Sequence, residues 1–204
     1  MPRYAQTERQ ALADLLLVVG PDAPTVNTGW TARDLAAHLV VRERRPDAAA
    51  GILLHPLRGH GERVRRSFAA MPFIRLVELV RNPPWWSPIS NPLTDRLANT
   101  MEFFIHHEDV RRAQPGWQPR DLPPGHQAAL WRLTAPLGRL RLRRFPATVL
   151  IRAPGYGEVT TGAGGMLARL IGTPGELALF LSGRQRVARV QVDAPPALAG
   201  RLRD

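Results

Sequence analysis

The chain has 204 residues, 44% of them apolar, and carries 28 basic side chains against 17 acidic ones, a formal charge of +11. It contains no cysteine, which excludes disulfides, thiolate metal sites and a cysteine nucleophile, and leaves His and carboxylate as the strong metal ligands. Every basic residue is arginine and the arginines fall in scattered groups with no nucleic-acid-reading motif, which argues for a solvated, Arg-biased surface of the kind GC-rich genomes encode rather than a nucleic-acid partner.

Near the N-terminus the longest apolar run, Leu15 to Gly20, follows Glu8 and Asp14. It is too short to span a bilayer and too acidic for a secretory leader, so a cytoplasmic protein without a membrane partner is expected. Gln6 to Val19 places Ala11, Leu12, Leu15, Leu16 and Val19 at helical spacing. The second helix opens with Thr31 as N-cap and Asp34 at N3, carries Leu35 and Leu39 on its apolar stripe, and ends near Pro46. A third helical region spans roughly Glu62 to Arg81 with a break at Pro72. Pro83, Pro84, Trp85, Trp86, Pro88 and Pro92 then make an irregular aromatic loop, and a fourth helix runs from about Leu93 to Ala113.

The segment Gln114 to Gly125 holds four prolines and two glycines and reads as a linker. It divides the chain into a helical domain, residues 1–115, and a smaller domain, residues 116–204. The second domain offers a helix over Gln127 to Arg143, then strands over Thr148 to Arg152, Glu158 to Thr161 and Met166 to Leu170. The segment GTPGELALFLSGR is a compact helix with Thr173 as N-cap, Pro174 at N1, Glu176 closing a capping box and Gly183 as the stop. Val187 to Val192 alternates as a last strand. The fold class is therefore α+β: a four-helix bundle followed by a small α+β domain.

Chemistry concentrates in the fourth helix. Glu102 and His106 are four residues apart and share one helix face, where a carboxylate and an imidazole can grip one metal ion. His38 on the second helix is the natural third ligand. Each has an ordinary reading, His38 as a hydrogen-bonded core histidine and Glu102–His106 as a surface i, i+4 pair. The apolar neighbours Met101, Phe103, Phe104 and Ile105 favour burial, and a buried carboxylate must be paired or bind metal. His107 competes with His106 but lies about 100° around the helix from it. Asp109 either holds the second nitrogen of His106 or pairs with Arg111 or Arg112 on the surface.

The segments GWTARDLAAHL and EFFIHHEDVRRA resemble the W-T-x-x-D-L-x-x-H-L and E-x-x-x-H-x-x-D patterns of the DinB-like superfamily, in its mycothiol-dependent maleylpyruvate isomerase branch. GTPGELALFLSGR resembles an element of the C-terminal domain found in the same proteins, and the overall likeness is greatest to an actinobacterial group of metal-binding proteins. The resemblance implies a DinB-like metal-binding bundle with one divalent metal, usually zinc, held by His38, Glu102 and His106. Trp30 takes a packing role and Asp34 a helix N-terminal one. It also implies mycothiol as a thiol cosubstrate, which the absence of cysteine requires to come from outside the chain. The expected partners are a small-molecule substrate or thiol, and a homo-oligomer is compatible with the pattern. The function expected is a metal-dependent, thiol-using transferase or isomerase acting on a small electrophile, with Arg42 or Arg111 as carboxylate binders. The alternative is a metal-binding or regulatory module without catalysis, which a fourth protein ligand such as His107 would favour.

Overall fold

The computed structural model describes residues 4–48, 58–87 and 99–203. They form two compact units, Met1–Gln118 and Pro119–Asp204. No helix among them is long and apolar enough to cross a membrane.

The first unit is helical: α1 (Tyr4–Val19), α2 (Ala32–Arg44), α3 (Arg58–Ala69), α4 (Phe73–Arg81) and α5 (Thr100–Arg111). The third helical region is thus two helices, and Pro72 stands as the N-cap of the second, where its fixed φ and missing N–H are tolerated. The expected start of the fourth helix, from Leu93, lies outside the described residues. α1 packs on α5 and α4, and α2 on α3 and α4. Between them Leu12, Leu16, Leu35, Leu39, Leu76, Val80, Phe103 and Val110 form one buried core. That core fixes the faces of α2 and α5 that carry His38 and His106.

α2 begins as its sequence implies. The Thr31 hydroxyl accepts from Asp34 N–H at 3.4 Å, and the Asp34 carboxylate accepts from Thr31 N–H at 3.0 Å, a complete capping box. Arg65 from α3 also reaches the Asp34 carboxylate at 2.5 Å. Burial opposes ionisation of Asp34, but the bonds from Thr31 and Arg65 outweigh it and hold its carboxyl below the ordinary range. Arg33 ties the same helix end to the α3–α4 junction through the carbonyls of Ala69 and Met71, at 3.0 and 2.9 Å. Thr31→Ala is expected to cost about 1 kcal/mol of stability, read as a lowered urea midpoint at unchanged m-value.

The second unit comprises α6 (Pro124–Leu142), β1 (Thr148–Ala153), β2 (Gly157–Gly162), β3 (Leu167–Ile171), α7 (Pro174–Leu181), β4 (Gln191–Asp193) and α8 (Pro196–Arg203). The sheet order is β2-β1-β3-β4, with β1 parallel to β3 and the other pairs antiparallel. Val149, Ile151, Val159 and Leu170 present one buried face to Leu177, Phe180 and Leu181 of α7 and to Leu202 of α8. The whole chain is α+β, as its pattern implies.

Two expectations need correction here. The last strand is three residues long rather than six, because Arg184 to Val187 turn and the Arg189 N–H donates to the Glu176 carboxylate at 2.6 Å instead of joining a ladder. Consequently the α7 cap keeps its Thr173 half, with Thr173 Oγ1 accepting from Glu176 N–H at 3.4 Å, while the Glu176 side chain reaches forward to residue 189. α8 is absent from the sequence reading. Its signals are Pro196 opening a helix, and Leu198 and Leu202 four apart, both buried.

Candidate metal centre

His38 projects from the middle of α2, and Glu102 and His106 from successive turns of α5. Glu102 Oε1 lies 3.5 Å from His38 Nε2 and 3.2 Å from His106 Nε2. One donor atom from each of the three residues falls within 4.8 Å of the others, and no further His, Asp or Glu joins the group among the described residues. The two imidazoles meet edge to face, with ring centroids 5.2 Å apart.

The surroundings orient these groups. The Trp30 ring lies 5.3 Å from that of His38, and the Arg65 guanidinium lies 5.3 Å over Trp30, so Trp30 packs between the first histidine and α3. Asp109 is fully buried, with Oδ2 2.9 Å from His106 Nδ1 and 3.4 Å from the Asn27 amide nitrogen. The Asp109 carbonyl accepts from Val26 N–H at 2.9 Å, which seats the α1–α2 connection against α5. Of the two readings open for Asp109, the structure selects the one behind His106. Arg111 and Arg112 pair instead with the buried Glu108, at 3.0 and 2.5 Å.

His107 does not compete for the cluster. Its Nδ1 lies 2.7 Å from the carboxylate of Glu8 on α1, and both side chains are buried. The Glu8 partnership is invisible to local spacing, because 99 residues separate the pair. Arg42 stands at the edge of the cluster, with Nε 3.4 Å from Glu102 Oε1 and Nη1 donating to Asn99 Oδ1 at 2.6 Å.

Electrostatics of the group are shaped by its two carboxylates. Burial disfavours the His106 imidazolium, but hydrogen bonds with Asp109 and Glu102 outweigh it and raise the pKa to about 9. Burial likewise opposes ionisation of Glu102, yet the bonds from His106 and His38 hold its carboxyl well below the usual range. His38 moves the other way, its imidazolium disfavoured chiefly by burial. An arrangement that stabilises a positive charge between two imidazoles and a carboxylate suits a divalent cation by the same physics. Two histidine nitrogens and one carboxylate oxygen are also a donor set of catalytic zinc sites. The residues therefore fit the group that the sequence implies.

No family model matches the sequence, and no curated relative matches it. Two solved structures share its fold. One is the mycothiol-dependent maleylpyruvate isomerase, at 14% identity and a TM-score of 0.62, covering 96% of this chain and 95% of that one. The other is a histidine-to-alanine variant of a mycothiol-dependent maleylpyruvate isomerase, at 15% identity and a TM-score of 0.59, covering 96% and 97%. The chain thus shares the fold of the mycothiol-dependent maleylpyruvate isomerase over nearly its whole length.

Proposed function

We propose that His38, Glu102 and His106 hold one divalent metal ion, zinc being favoured by the donor set, and that the chain is a thiol-dependent transferase or isomerase for a small electrophile. The observation that carries this reading is the convergence of three donors from two helices with no fourth protein ligand among the described residues. That incomplete set supports a reactive site rather than a structural one, in which four protein ligands are usual. The shared fold of an enzyme described as mycothiol-dependent, together with a chain that lacks cysteine, supports an external thiol such as mycothiol.

When bound at such a site, a divalent metal lowers the pKa of a coordinated water or thiol towards neutrality. The chain's own residues do the rest. Asp109 fixes the orientation of the His106 ring so that Nε2 faces Glu102 and His38. Trp30 packs against His38 and limits its ring positions. Arg42 brings a fixed cation beside Glu102, where it can hold a substrate carboxylate.

The test is turnover. Metal-loaded protein mixed with mycothiol and a panel of small electrophiles is expected to consume thiol and electrophile together. Absence of thiol-dependent turnover, with no thiol binding by calorimetry, would favour a non-catalytic metal-binding module. A second measurement reads the site itself. In the metal-free protein His106 keeps its proton up to about pH 9, and a metal can bind Nε2 only after that proton leaves. Affinity is therefore expected to rise about tenfold per pH unit below pH 9 and to fall on acidification, with about one proton released per metal near neutral pH. Calorimetry in buffers of different ionisation enthalpy measures that release; a flat profile between pH 6 and 8 would contradict the assignment of His106.

A further inference from the structure

We propose that the C-terminal unit carries a surface that lies on an anionic phospholipid bilayer, formed where the C-terminal ends of α6 and α8 meet. The charge of the chain is concentrated here: residues 119–204 hold thirteen arginines against five carboxylate side chains. In the N-terminal unit several surface arginines are paired with carboxylates, as Arg45 is with Asp47, Arg66 with Glu62, Arg75 with Glu78 and Arg81 with Asp14. Arg139, Arg141, Arg143, Arg144, Arg201 and Arg203 are all exposed, and none has a carboxylate partner among the described residues.

These six are brought together by packing. Leu142 and Phe145 at the end of α6 share a core with Leu202 of α8, and the Arg201 guanidinium lies 5.6 Å over the Phe145 ring. The β2–β3 connection closes on the same place, since Ala163 N–H donates to the Phe145 carbonyl and Thr148 N–H to the Met166 carbonyl, each at 2.8 Å. Three of the unit's carboxylates, Glu158, Glu176 and Asp193, lie elsewhere or are occupied. Glu158 is at the opposite end of β2, Asp193 is taken by Arg169 at 2.8 Å, and Glu176 accepts from Arg189 N–H.

Basic residues in the last turn of a helix interact favourably with its dipole, and this accounts for part of the pattern at Arg139, Arg141, Arg201 and Arg203. It does not account for Arg143 and Arg144 beyond the helix, nor for the apolar side chains set among the arginines. Leu140 is 59% exposed between Arg139 and Arg141, and Met166 and Leu167, where the adjoining connection enters β3, are 54% and 43% exposed. Singly exposed apolar residues are ordinary on any protein. Interleaved with unpaired arginines they match a membrane interface, where cations meet lipid phosphates and apolar side chains enter the headgroup boundary. A nucleic acid would use the arginines and leave Leu140, Met166 and Leu167 without a role.

The experiment is co-sedimentation of the full chain with phosphatidylcholine vesicles, with and without phosphatidylglycerol, beside titration with a short DNA duplex and a single-stranded RNA. Binding that requires phosphatidylglycerol and weakens with salt is expected. Arg141→Glu, Arg144→Glu and Arg201→Glu together should lower it on the order of a hundredfold, since each surface cation contributes about fivefold. Leu140→Ser with Met166→Ser should weaken vesicle binding while leaving any duplex binding unchanged. Circular dichroism checks that both variants fold, and the unpaired, exposed positions make folding expected. No binding to phosphatidylglycerol vesicles, undiminished binding by the charge-reversed variant, or tighter binding to duplex or RNA than to vesicles at equal phosphate would each overturn the proposal.

Discussion

His38→Ala protein, reconstituted with a divalent metal and dialysed, is expected to retain only background metal where the unaltered chain retains about one equivalent. The reason lies in how the donors are distributed. Glu102 and His106 come from one helix at i, i+4 spacing, and without the Nε2 of His38 they are an ordinary charged pair on α5. Replacing a residue that merely orients a ligand costs 10–100-fold in affinity, so loss of a ligand should cost at least about 100-fold. His38 is the better position to test. His106→Ala would remove a ligand and also take the His106 bond from the buried Asp109 carboxylate, mixing a structural change with a binding one. Asp109→Asn separates the roles further, because it keeps all three donors and should weaken the metal by 10–100-fold. Elemental analysis and calorimetry read both variants. Full metal content at unchanged affinity in His38→Ala would remove this residue from the proposed site.

Much of this centre is legible in the sequence, because its parts are local. Thr31 and Asp34 announce the start of α2 and so set the phase that points His38 inward, and the apolar residues around Glu102 do the same for α5. Periodicity cannot find partners that only the packed bundle creates. Glu8 with His107, Arg9 with Glu43 and Arg42 with Asn99 are separated by 99, 34 and 57 residues, and nothing in local spacing links them. His107 resembles a rival ligand in the sequence because its own partner, Glu8, stands on α1. Asp109 was ambiguous for the converse reason: Arg111 and Arg112 are its neighbours in sequence, while Glu108 takes both in space. The alternation of the last strand runs past its true length because it continues through residues whose N–H groups are spent elsewhere, that of Arg189 on Glu176. The overall class is unaffected, because it rests on helix caps and on the strand alternation of Val149 and Ile151.

Glu43→Ala is expected to destabilise the N-terminal unit more than any substitution at the candidate site. Arg9 and Glu43 are 3% and 1% exposed, joined by a two-pronged contact in which Arg9 Nη1 donates to Glu43 Oε2 at 2.8 Å and Nη2 donates to Oε1. Arg9 also donates to the Val80 carbonyl at 2.9 Å and lies 4.0 Å over the Phe103 ring. This cation therefore stitches α1 to α2, α4 and α5 at once. A buried pair of this kind contributes little over an apolar replacement of equal volume, because both charges lose their hydration. Removing one partner is different: the guanidinium stays buried without a counter-charge, at a cost of about 3–5 kcal/mol. For a unit of this size that corresponds to a fall of roughly 10–20 °C in Tm. The compensating test replaces both partners, Arg9→Met with Glu43→Leu, and should recover most of the loss, since no charge is then left unpaired. Thermal denaturation of metal-free protein reads both. A Tm change of only a degree or two in Glu43→Ala would mean that water reaches Arg9, and the Arg9–Glu43 pair would then be a solvated feature rather than part of the core.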